Sequence, residues 1–87
     1  MNTNNKPFPT AMNKTDFAQL YVPFSKTILM QRINQIIYDF RKDFPENKDK
    51  EFTKIVKTHS ITKPEMLEYA RTYFFPTGYY DDEEKSI

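Results

Sequence analysis

The side chains able to do covalent chemistry are few. His59 is the single histidine, it stands beside Lys57, and it reads as a surface or boundary residue rather than a general base. Glu65 and Glu68 share one helix face, where carboxylates cap a helix start and complement its dipole before they serve as an acid and base pair. The chain has no cysteine, which removes thiolate zinc sites, disulfides and cysteine nucleophiles together. Its only glycine, Gly78, excludes a Walker loop and a GxGxxG fingerprint, since both need several positions where backbone approaches phosphate unobstructed. These residues predict a protein that is not an enzyme and holds no cofactor and no metal.

Binding chemistry is better represented. Lys48, Lys50, Lys54, Lys57 and Lys63, with His59 among them, form the densest basic stretch, opposed there only by Asp49 and Glu51. Such a run either tracks a phosphate backbone or is a solvated surface. A second set, Ser25, Lys26, Thr27, Gln31 and Asn34, falls at the head of a helix. Hydroxyls at a helix N-terminus bond phosphate, and Gln or Asn pairs with adenine edges in a major groove. The same residues also fit the ordinary wet face of an amphipathic helix. A third set, Tyr69, Tyr73, Phe75, Tyr79 and Tyr80, gathers aromatics toward the C-terminal end. They suit a protein partner or base stacking if exposed, and a core if the end folds back.

Several elements must position these groups. Asn13 is a plausible N-cap, Asp16 follows in the first turn, and Phe17, Leu20 and Tyr21 share a face until Val22-Pro23 stops the helix. Ser25 caps the longest periodic run, in which Leu29, Ile33, Ile36, Ile37, Phe40 and Phe44 repeat at three- and four-residue spacing. Pro45 and the polar group after it make a turn. Phe52, Ile55 and Val56 then suggest a short third helix beginning near Asp49, with a strand as the rival. Thr62 and Glu65 form a capping box around Pro64 for a last helix with Met66, Leu67, Ala70, Tyr73 and Phe74 inside, ended by Pro76 and Gly78.

These elements predict an all-α fold, a small four-helix domain that is helix-turn-helix-like. A flexible N-terminal arm occupies residues 1–12, the helical domain 13–78 and an acidic C-terminal tail 79–87. Phe17, Leu20, Ile28, Leu29, Ile33, Ile36, Ile37, Phe40, Phe52, Ile55, Val56, Leu67, Ala70 and Phe74 form the expected core. The 87 residues suffice for one modest core, since a chain this short buries only about 60% of its unfolded surface. Net charge is +1, but four acids against Lys85 make the last nine residues −3 and leave +4 on the rest. No apolar run approaches the roughly 20 residues of a membrane span, and the first dozen residues lack a secretory core, so a cytoplasmic location is expected.

Ala18 on the first helix with Ile28 ten residues later has the spacing of a helix-turn-helix, where a small residue lets the helices close and a β-branched one plugs the gap. Residues 14–33 resemble the opening of excisionase-like and MerR-like regulators, departing at the turn, where Val22 and Pro23 replace a glycine and an apolar residue. Lys14, Thr15, Asp16, Phe17, Ala18, Leu20, Tyr21 and Pro23, followed by Thr62, Pro64 and Glu65, also resemble a family of small proteins from Bacteroides and related bacteria that carries no assigned activity. The likeness spans about residues 13–74 and implies a compact helical fold from a phage or mobile element. The expected function is a DNA-binding regulator or accessory protein, with residues 26–44 as reader and the basic stretch as phosphate clamp. The alternative is a protein-interaction module, such as an inhibitor of a host protein, that uses the aromatic end and acidic tail. The expected partner is nucleic acid or a protein, with a homodimer possible and no membrane.

Overall fold

In a computed structural model of the chain, residues 5–83 are described. They form β1 (Ala11–Asn13), α1 (Lys14–Gln19), α2 (Lys26–Arg41), a 3-10 turn (Pro45–Asn47), α3 (Phe52–Ile55), β2 (Ser60–Thr62) and α4 (Lys63–Thr72). The helix starts are local chemistry. Asn13 accepts the Thr15 N–H at 2.8 Å, Ser25 accepts the Ile28 N–H at 3.4 Å, and Thr62 with Glu65 closes a capping box over Pro64. Residues 52–55 are helical, so the strand alternative does not apply there.

A two-stranded antiparallel sheet corrects the all-α expectation. Ala11 pairs with Thr62, Met12 with Ile61 and Asn13 with Ser60. Each strand runs directly into a helix, and the two helix starts reinforce the ribbon. The Lys14 N–H donates to the His59 carbonyl at 2.8 Å, and the Lys63 N–H donates to the Thr10 carbonyl at 2.9 Å. First-turn N–H groups have no partner inside their own helix, so the ribbon satisfies donors that the helices cannot. The protein is a small mixed α/β domain.

Residues 5–12 belong to the folded body, which corrects the flexible arm over those residues; residues 1–4 lie outside the described part. Phe8 is buried, edge-on to Phe17 at 5.7 Å and stacked with Phe75 and Tyr79. The Lys6 backbone donates to Gly78 at 2.9 Å and accepts from Tyr80 at 3.1 Å. Gly78 makes this return possible by adopting φ +90°, a left-handed conformation that other residues resist. The tail is equally tied down as far as it is described: Asp81 pairs with Arg71 and Asp82 with Lys63, each at 2.6 Å. Residues 84–87 lie outside the described part.

The core joins Phe8, Phe17, Ala18 and Tyr21 to Leu29, Ile33, Ile36 and Ile37 of α2, Ile61 of β2, and Met66, Leu67, Tyr69 and Ala70 of α4. Ile55 and Val56 are buried as expected, and Leu20 packs partly buried at the edge. Ile28, Phe40, Phe52 and Phe74 are between 37% and 48% exposed, against expectation. The reasons are geometric. Leu29 rather than Ile28 takes the inward position beneath Ala18, so the expected plug faces solvent. Phe40 lies on the last turns of α2, where the one-turn α3 leaves a cleft instead of a lid.

Candidate functional site

That cleft, of about 580 Å³, opens between the end of α2, the 3-10 turn, α3 and the start of α4. Its base is an ion pair. Arg41 grips Glu65 with two parallel hydrogen bonds, Nε to Oε2 at 2.7 Å and Nη2 to Oε1 at 2.8 Å. Glu65 Oε1 also accepts the Thr62 N–H at 2.9 Å, so one buried carboxylate both caps α4 and anchors α2 to it. Asn47 donates to the Arg41 carbonyl at 2.9 Å and fastens the 3-10 turn to the end of α2.

A buried lysine braces the far side of this base. Lys14 Nζ donates to Asn34 Oδ1 at 2.6 Å and to the Val56 carbonyl at 3.1 Å, which places a cation at the C-terminal end of α3. Burial holds its ammonium below the usual lysine pKa, the Arg41 charge lowers it further, and Glu65 opposes both.

Phe40, Phe44, Ile55 and Pro64 give the cleft apolar walls, and Lys50, Lys54 and Lys57 stand along it with exposed side chains. Four cations therefore face two carboxylates, Glu46 and Glu65, of which Glu65 is already committed to Arg41. Among the described residues, none of the three lysines is in an ion pair. The cleft is thus a concave, positively charged pocket with aromatic walls, suited chemically to an anion attached to a flat apolar group.

The expected binding residues separate into groups. Lys50, Lys54 and Lys57 are brought together at the cleft. Lys48 is exposed beside it without lining it, and Lys63 is drawn away by Asp82, whose hydrogen bond raises the Lys63 pKa. On α2, Lys26, Thr27 and Gln31 face solvent, Ser25 is occupied as the helix cap, and the Asn34 oxygen takes the Lys14 ammonium. Of the aromatic end, Tyr69 is wholly buried, and Phe75 and Tyr79 are half-buried against Phe8. Tyr73 and Tyr80 are exposed, Tyr73 beneath the Arg32 guanidinium at 4.4 Å.

Sequence reasoning placed Phe40 and Phe44 on the apolar stripe, gave Arg41 no role, and gave Glu65 its capping role without the ion pair to Arg41. The one advance signal was Pro45 directly after Phe44, which keeps Phe44 out of the helical region, so α2 ends at Arg41 and the Phe44 ring sits beyond it. Among the described residues, no group of three His, Asp or Glu side chains is placed to hold a metal ion, and no helix is long and apolar enough to cross a membrane. No family model matches the chain, and no curated protein or solved structure matches it.

Proposed function

We propose that the protein binds nucleic acid, with the cleft between α2, α3 and α4 as its contact site. The observation that carries this reading is the convergence of Lys50, Lys54 and Lys57, none of them ion-paired, on an aromatic-walled concavity. Separate lysines on a convex surface keep their own water and counterions. Lysines converging on one concavity release several counterions to a single polyanion. A regulatory or accessory role, as part of a phage or mobile element, rests on the resemblance of the opening segment alone.

The test is the salt dependence of binding to a labelled oligonucleotide. Three lysine contacts give a log K against log salt slope of about −2 to −3. Replacing Lys50, Lys54 and Lys57 with alanine should flatten the slope and remove most of the affinity. A slope that survives the triple variant would move the contact site elsewhere.

A second reading, a protein-interaction module, is favoured by a different observation. Val22, Phe24, Ile28, Tyr73 and Phe74 are 41–63% exposed where the α1–α2 turn meets the end of α4, and the Phe24 and Phe74 rings touch at 5.4 Å. Sedimentation of the wild type against Phe24→Ser separates a second copy of the chain from a different partner.

A further inference from the structure

We propose that the cleft accepts an unpaired, single-stranded segment of nucleic acid, its bases stacking on Phe40 and Phe44 and its phosphates running along Lys50, Lys54 and Lys57. This rests on the reading of the cleft as a nucleic-acid site and goes further by naming the form of the strand. Phe40 and Phe44 are 37% and 44% exposed, although phenylalanine is ordinarily among the more buried residues. The other exposed phenylalanines have ring neighbours, Phe52 on Tyr38 at 5.0 Å and Phe24 with Phe74 at 5.4 Å. Among the described residues, neither Phe40 nor Phe44 has one.

Shape decides between duplex and single strand. Reading a duplex takes an element that protrudes into a groove, whereas these lysines border a hollow. Bases held in a duplex stack cannot enter a concavity, and an unpaired base can. The volume of about 580 Å³ lies within the usual range for clefts that enclose a flat organic group. Phosphate attraction combined with aromatic stacking is the general solution for holding single strands with little sequence preference. The Arg41–Glu65 pair completes the site by tying the end of α2, which carries Phe40, to the start of α4.

The experiment compares four labelled probes at one low salt concentration: an oligothymidine of about twelve nucleotides, the same strand with abasic sites, a duplex of equal length, and polyglutamate. Oligothymidine should bind about tenfold or more tighter than the abasic strand, as base stacking requires, and tighter than the duplex and polyglutamate. Phe40→Leu with Phe44→Leu, which keeps apolar bulk while removing the aromatic faces, should erase the preference for bases and leave the abasic strand bound as before. Equal binding of oligothymidine and the abasic strand, or of polyglutamate and oligothymidine, overturns the stacking proposal. A duplex bound as well as the single strand, still dependent on the cleft lysines, overturns this proposal while the broader nucleic-acid reading stands. Absence of binding to every nucleic-acid probe overturns both.

Discussion

Glu65 ties two helices together from a buried position. It is 2% exposed, receives both arms of Arg41, and accepts the Thr62 backbone N–H at the start of α4. Removing one partner from a buried ion pair leaves the other charge stranded, which costs about 3–5 kcal/mol. Glu65→Ala should therefore lower the urea stability by about 3 kcal/mol, and Arg41→Met with Glu65→Met should recover much of that loss. Tyr21 and Tyr69 make a second prediction. Burial pushes both phenols above their ordinary value, with the neighbouring Tyr69 adding to the shift of Tyr21 and Arg32 opposing that of Tyr69. The fold thus retains phenolic protons that the unfolded chain releases near pH 10. Stability from this source is complete below about pH 10 and falls as pH rises further. Urea titrations between about pH 9 and 11 should show the decline, and Tyr21→Phe should show a shallower one. Lys14 has the opposite sign: its lowered pKa means stability gains as pH climbs toward the ordinary lysine value, so the tyrosine effect is read from the difference between variant and wild type.

The helices were legible from the chain because their starts are local. Asn13, Ser25 and the Thr62–Glu65 pair cap the elements they were expected to cap, and each cap spans at most three residues. The strands were not legible because each is three residues long, shorter than any stretch in which alternation can be recognised, and its partner lies about fifty residues away. Phe8 was hidden for another reason. Pro7 and Pro9 forbid helix and central strand, and an extended segment with few N–H donors reads as an arm although it can pack a ring inward. A solvated arm and a packed segment predict different costs. Phe8→Ala should lose about 3 kcal/mol or more by urea denaturation, as large-to-small changes in a core do, whereas a residue in a solvated arm would lose almost nothing. The cleft was half legible. Its lysines stood out as a basic stretch, but Phe40 and Phe44 share the α2 periodicity and so look like core. The one-turn α3 does not cover Phe40, and Phe44 lies beyond the end of α2, so both stay exposed.

Across the described residues, the acids at 81 and 82 are paired away from the cleft. The acids near the C-terminal end fold back onto Arg71 and Lys63, neither of which lines the cleft, so the cleft lysines keep their charge available. Single ion pairs at the surface contribute little to stability even where, as here, they are partly covered, and their larger effect is on the long-range field. Asp81→Asn with Asp82→Asn should leave the melting temperature nearly unchanged while raising affinity for an oligonucleotide at low salt, a gain that disappears as salt is added. Deleting residues 79–87 is a poorer test of the same idea, because it also removes Tyr79 from its stack on Phe8.

Whether nucleic acid meets this protein in the cleft can be read from backbone amide resonances followed while an unlabelled single strand is added. The largest shifts should cluster at Phe40, Arg41, Phe44, Lys50, Lys54 and Lys57, and should shrink as salt rises. Shifts concentrated at Ser25, Lys26, Thr27 and Gln31, or around Phe24 and Phe74, would contradict it, as would a spectrum that does not change at low salt.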